Sequence, residues 1–204
     1  MKYDPEKHHR RSIRLKEYDY SHPGAYFITI CTHDEECCFG NIINGNLKYS
    51  KIGIIAEEIL IETVNNMALM RLDSYVIMPN HLHMIIFIDD SDIHLMGVSR
   101  NAPTKNTRRL HHRRGVIHNA QNMEFYSYIS PKGNSLSILI RKYKAAVTRW
   151  CNNNGYKFFK WHRNYYEHVI RNETDLNQIR EYIITNPLKW ELDKENPQNW
   201  NIKK

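Results

Sequence analysis

Tyr75-Val76-Ile77-Met78-Pro79-Asn80-His81-Leu82-His83-Met84-Ile85-Ile86-Phe87-Ile88 is the stretch that decides how this 204-residue chain folds. It holds two extended runs, 75–78 and 82–88, hinged at Pro79-Asn80. The second run is apolar on both faces, the pattern of a strand lying centrally in a sheet that is covered on both sides, at least in part. Upstream, residues 26–32 (Tyr-Phe-Ile-Thr-Ile-Cys-Thr) are β-branched and aromatic and follow Pro23-Gly24, which predicts another strand. Residues 41–49 place Asn44-Gly45-Asn46 between Ile42-Ile43 and Leu47, a small hairpin. Between them and the central run, Ile52, Ile55, Ile59, Leu60, Val64 and Met67 recur at three- and four-residue steps, an amphipathic helix.

Downstream, helical periodicity returns with Leu136, Leu139, Ile140, Tyr143, Val147 and Trp150, and the other face of that helix carries Arg141, Lys142, Lys144 and Arg149. An aromatic and basic stretch, Phe158 to Tyr166, follows. A last helix begins near Asn172, an N-cap with Asp175 three residues on. It runs through Leu176, Ile179 and Ile183 and stops near Pro187. Trp190 and Trp200 are docking points for a polar tail. Residues 1–20 are basic and irregular, and about 89–133, with the cluster Arg108 to Arg114, is expected to be a mobile basic insertion. The order is strand, hairpin, helix, two strands, helix, helix. It predicts one α+β domain over 1–204: an antiparallel sheet of the ferredoxin-like type with helices packed on it.

Bulk properties narrow the function. The formal charge is +7 and the pI about 9.2, which favours a polyanionic partner. No stretch approaches the roughly 18 apolar residues of a membrane span. Met1 to Arg14 is charged and lacks the apolar core of a secretory signal. Cys31, Cys37, Cys38 and Cys151 form no CxxC pair, which suits reduced thiols better than zinc or a disulfide framework. A cytoplasmic, nucleoid-associated protein without a membrane partner is expected.

Two sets of residues are suited to chemistry. His81 and His83 are two apart on a strand, so they share a face with β-carbons about 7 Å apart. Two imidazoles so placed can converge on one divalent ion and leave positions open for substrate oxygens; an ordinary pair of core or surface histidines has the same spacing. Tyr182 and Asn186 are four apart on the last helix, at the edge of the Leu176–Ile179–Ile183 stripe. Tyr182 there can accept a phosphoryl group and Asn186 can offer a neutral oxygen to a metal, whereas a packing tyrosine would also sit there.

Several blocks together resemble the REP-associated tyrosine transposases, relatives of the single-tyrosine, His-hydrophobe-His transposases of insertion sequences. They are Arg14-Leu-Lys-Glu-Tyr-Asp-Tyr, Pro23-Gly-Ala-Tyr-Phe-Ile-Thr-Ile, Met78-Pro-Asn-His-Leu-His, Trp161-His-Arg-Asn-Tyr-Tyr-Glu-His-Val-Ile-Arg-Asn and Glu181-Tyr-Ile-Ile-Thr-Asn-Pro-Leu-Lys-Trp. The resemblance runs from about residue 10 to 190 and is slight over 89–133. It implies the His-hydrophobe-His nuclease version of the ferredoxin-like sheet. His81 and His83 match that family's metal-binding histidines, Tyr182 its nucleophile and Asn186 a third polar ligand.

The implied partner is single-stranded or hairpin DNA, cut or joined through a 5′-phosphotyrosine link by a monomer or a homodimer. Mg²⁺ or Mn²⁺ suits two imidazoles, an amide oxygen and phosphate, although zinc binds imidazole more tightly. Arg141, Lys142, Lys144, Arg149, Arg163 and Arg171 are candidates for backbone contacts, and Tyr165, Tyr166 or Trp161 for base stacking. His168 is read as structural or close to DNA. Two rivals stay open: a non-catalytic nucleic-acid-binding module, and a metal-dependent nuclease that uses water.

Overall fold

The computed structural model describes residues 22–90, 135–193 and 195–202. The basic segment 1–20, the cluster Arg108 to Arg114 and nearly all of the expected insertion at 89–133 lie outside the described residues. The chain runs β1 (Gly24–Cys31), β2 (Gly40–Ile43), β3 (Asn46–Tyr49), α1 (Lys51–Asn65), β4 (Met70–Ile77), β5 (His81–Ile88), α2 (Leu136–Asn153), β6 (Tyr166–Ile170) and α3 (Glu173–Thr185), with short 3₁₀ turns at His33–Glu35, Asn186–Leu192 and Pro197–Ile202.

β4, β5, β1 and β6 form one sheet in that order, and every pairing is antiparallel. With the β2–β3 hairpin set aside, the path is β-α-β-β-α-β, the ferredoxin-like pattern expected from the sequence. β5 takes a central place between β4 and β1, and its residues are nearly all buried. One face of the sheet carries Tyr26, Ile28, Ile30, Leu82, Met84 and Ile86 against α1 and α2. The other carries Ala25, Phe27, Val76, Met78 and Ile85 against Ile183, with Leu176 and Ile179 beside it. α3 therefore covers part of the face that α1 and α2 leave bare.

The caps follow the sequence. The Asn172 side chain accepts from Asp175 N at 2.8 Å, as its place before the Leu176 stripe predicts. Asn44 and Gly45 both have positive φ (51° and 73°), the turn that matches the twist of a two-residue hairpin.

Two elements differ from the sequence reading. β4 begins at Met70 rather than Tyr75, because a register shift between Leu72 and Tyr75 interrupts the alternation that marks a strand. Asp73, at that irregularity, pairs with Arg180 of α3 at 2.7 Å. β6 was not expected at all: it is five residues long, lies at the sheet edge and contains Glu167 and His168. A short polar edge strand has little periodicity to detect.

Candidate active site

The site starts at the Pro79-Asn80 hinge. Met78 N donates to His81 O at 2.7 Å, closing the turn that delivers His81 to the first position of β5. Antiparallel register then sets His83 opposite Thr29 of β1, and Thr29 opposite Tyr166 of β6. Residues paired in this way point to one face, which is the face that α3 partly covers.

Both imidazoles are buried, His81 completely and His83 at 4% exposure. Their Nε2 atoms lie 3.0 Å apart. His81 Nδ1 lies 2.8 Å from Asn80 Oδ1, and His83 Nδ1 lies 2.8 Å from Thr29 Oγ1. Phe27 stacks on the His83 ring at 5.3 Å and meets the Tyr182 and Tyr166 rings edge-on at 6.1 and 6.4 Å.

α3 brings the hydroxyl of Tyr182 to 3.2 Å from His83 Nε2. Burial raises this hydroxyl's pKa above its usual value, and the negative charges of Asp193 and Glu195 add to the rise. A hydrogen bond from the Asn186 side chain works the other way and favours phenolate. Asn186 caps α3 and is 2% exposed, more deeply sealed than its predicted place at the edge of the stripe. Its amide oxygen has no hydrogen-bond partner among the described residues, so the bond to Tyr182 uses the nitrogen.

These donors fit a divalent ion. A separation of 3.0 Å is what two nitrogens adopt as neighbouring ligands of one ion at about 2.1 Å. Among the described residues no group of three His, Cys, Asp or Glu side chains is placed to hold a metal. The third protein donor would then be neutral, and the unpartnered Asn186 oxygen is of the right type.

Beside the pair opens a cleft of about 640 Å³, lined among others by Phe27, Thr29, His83, Asn164, Tyr166 and Tyr182. Its acidic side holds Asp34, Glu35 and Glu195. Burial, then the charges of Glu195 and Asp193, raise the Glu35 carboxyl to about 6. Asp34 and Glu35 both have positive φ (49° and 53°), a backbone state uncommon outside glycine.

The basic and aromatic candidates separate. Arg141 and Arg149 are exposed on α2, across the sheet from the histidines, and Arg163 and Arg171 are exposed at either end of β6. Lys142 reaches the sulfur of Met67 at 3.6 Å. Lys144 turns inward: its ammonium donates to the carbonyls of His162 and Asn164 at 2.8 and 3.1 Å, and burial lowers its pKa to about 8.

Tyr165 and Tyr166 line the cleft. Trp161 does not: its Nε1 donates to Lys144 O and its ring packs on Phe39, Tyr143 and Phe159, so core packing occupies the surface expected to stack on bases. His168 sits on β6, with Nε2 3.1 Å from Asp175 Oδ2. Sequence reasoning missed Thr29, Phe27, Asn80 and Glu35 as parts of the site. Asn80 could have been found from its place beside His81; the others depend on strand register.

No family model matches the chain. An uncharacterized protein of Haemophilus influenzae is 39% identical over 195 residues, which is 95% of this chain and 96% of that protein. A solved REP-associated tyrosine transposase, bound to a REP hairpin, superposes with a TM-score of 0.52 at 17% identity, over 87% of this chain and 74% of that one. The chain belongs to one family with the Haemophilus protein, and its fold is that of a REP-associated tyrosine transposase. The resemblance read from the sequence is thus met by the fold. No helix among the described residues is long and apolar enough to cross a membrane.

Proposed function

We propose that this transposase-like chain is a DNA strand-nicking and joining enzyme, with Tyr182 as nucleophile and single-stranded or hairpin DNA as substrate. The observation that carries this reading is the placement of the Tyr182 hydroxyl 3.2 Å from His83 Nε2, itself 3.0 Å from His81 Nε2. The Tyr182 oxygen forms a bond to phosphorus and the bond to the 3′-oxygen breaks. The phenolic proton is lost and the departing oxygen gains one, giving a free 3′-OH and a 5′-phosphotyrosine. That link keeps the energy of the phosphodiester, so a second 3′-OH can reverse the step and join a strand without ATP.

His81, His83 and Asn186 would hold Mg²⁺ or Mn²⁺, which would supply positive charge to a non-bridging phosphate oxygen. The electrostatics of the cleft favour such an ion. Among the described residues the lining includes Asp34, Glu35 and Glu195 and neither Lys nor Arg, so these side chains repel a phosphate that enters without a counter-charge. The chain's own residues do the rest: Phe27 holds the His83 and Tyr182 rings in place, and the Asn186 amide favours phenolate.

One observation favours the water-using alternative. Burial and two carboxylates oppose ionisation of Tyr182, which makes phenolate harder to form. The deciding experiment incubates labelled single-stranded hairpin DNA from around the chain's own gene with protein and Mg²⁺ and resolves the products on a denaturing gel. Cleavage with a slow-migrating covalent adduct is expected. Cleavage with no adduct would favour water, and binding without cleavage would leave a non-catalytic module.

A further inference from the structure

We infer that Asn80 is a positioning residue that fixes which nitrogen of His81 carries the proton and ties that choice to the acidic wall of the cleft. The inference rests on the reading that His81 and His83 hold a divalent ion.

The argument begins with the amide, which is completely buried. Asn80 Nδ2 lies 3.0 Å from Glu35 O and 2.7 Å from Glu195 O. Both are carbonyl oxygens and only accept, so the nitrogen of the amide must face them. This settles which end of the side chain is oxygen. Asn80 Oδ1 is then the atom 2.8 Å from His81 Nδ1. An amide oxygen only accepts, so His81 Nδ1 must carry a hydrogen. In the neutral ring, Nε2 is left with a bare lone pair, and Nε2 is the atom that faces His83 at 3.0 Å. A ligand histidine needs that tautomer, and Asn80 imposes it before any ion arrives.

Thr29 does not impose the same choice on His83. Its hydroxyl can donate to or accept from Nδ1 at 2.8 Å, so His83 can present a hydrogen to His81 or a lone pair to an ion. One ligand is therefore locked and the other adaptable. Asn80 also joins three distant segments. Its backbone carbonyl accepts from Thr32 N and Thr32 Oγ1, while its side chain reaches Glu35 and, 115 positions away, Glu195. The strained Asp34–Glu35 turn and the segment after α3 are thereby held to the residue that orients His81.

Two variants separate positioning from plain structural support. Asn80→Leu removes the acceptor for His81 and both donors. Asn80→Asp keeps the acceptor but sets a carboxylate against two carbonyls, so it should lower thermal stability while sparing the tautomer. The readouts are the His81 tautomer, from long-range ¹⁵N–¹H NMR of the metal-free protein, and Mn²⁺ affinity, from titration followed by electron paramagnetic resonance. In the wild type His81 should be the Nδ1–H form. In Asn80→Leu it should become a mixture, with Mn²⁺ bound about 10- to 100-fold more weakly. Asn80→Asp should keep both within about threefold, well short of the loss expected when such a partner is removed.

An Nε2–H His81 in the wild type would overturn the inference without needing any variant to fold. Equal loss of Mn²⁺ affinity in the two variants would overturn it too, by showing a structural role only. If His81→Ala binds Mn²⁺ as the wild type does, the metal reading fails; a tautomer that shifts in Asn80→Leu and holds in Asn80→Asp would still uphold Asn80 as the residue that sets it.

Discussion

The Tyr182 hydroxyl and His83 Nε2 stand 3.2 Å apart although 99 positions separate them in the chain. A packing tyrosine at a helix boundary has no need of an imidazole, and this one is still 40% exposed. The pair sets a phenolic hydroxyl beside an imidazole nitrogen, both on the lining of the cleft, which is the arrangement the proposed reaction needs.

We predict that Tyr182→Phe abolishes both cleavage and the covalent adduct while leaving metal and hairpin binding intact. The change removes one oxygen and its hydrogen bonds with His83 and Asn186, so stability should fall by about 1–3 kcal/mol. Tyr165→Phe and Tyr166→Phe serve as controls from the same cleft. Normal cleavage by Tyr182→Phe on a denaturing gel would rule this tyrosine out.

His81→Ala and His83→Ala are each expected to lose cleavage and to keep much of the affinity for DNA, which distributed phosphate contacts supply. Cleavage assays across a Mn²⁺ series, alongside binding titrations, check this. A double variant that cleaves like the wild type would remove the metal site from the account.

Stability should carry a signature of Glu35. Its carboxyl is raised from 4.5 to about 6, so the folded state holds this proton more tightly than the unfolded state. The resulting stabilisation is full below about 4.5 and is lost as pH rises through about 6. Glu35→Gln should remove that loss and gain up to ~1 kcal/mol at neutral pH, once solvent screening is allowed for. Urea melts of both proteins between pH 4.5 and 7.5 make the comparison; curves that stay parallel would count against it.

Among the cations, Arg163→Ala and Arg171→Ala should each reduce the slope of log affinity against log salt by about one. Lys144→Met should leave the slope alone and cost about 1 kcal/mol or more, because two carbonyls lose their donor. Fluorescence anisotropy across a salt series, with thermal melts, separates the two kinds of residue. An equal drop in slope for Lys144→Met would return it to the DNA-contacting set.

Much of this was legible in the sequence, for identifiable reasons. β5 is a long apolar run, and α3 has a side-chain cap and a clear stripe, so the histidines and Tyr182 were placed on the right elements. That Tyr182 would meet His83 was beyond local pattern, since it depends on how α3 crosses the sheet. Thr29 and Phe27 joined the site through the register of β1 against β5. Lys144 and Trp161 have local partners that their spacing does not reveal. Both read as exposed ligands for DNA, yet each satisfies the other's segment, and side-chain direction on a helix with a mixed face is not fixed by spacing alone.

The sheet has a further geometric effect, because it divides the molecule into a front and a back. The histidines and Tyr182 are in front; the exposed arginines of α2 are behind. A polymer touching both must pass round one margin of the sheet. At the β4 margin Arg180 is clasped by Asp73, and the guanidinium of Arg71 lies over the Phe87 ring, 4.4 Å from its centre. At the β6 margin Arg163 and Arg171 are exposed, as are Lys157 and Lys160 in the turn that leads from α2 to this strand. On the proposed reading, a DNA strand travelling from back to front past these cations would go round by β6, and the nucleotides needed for that detour would set how far from its anchoring point it is cut.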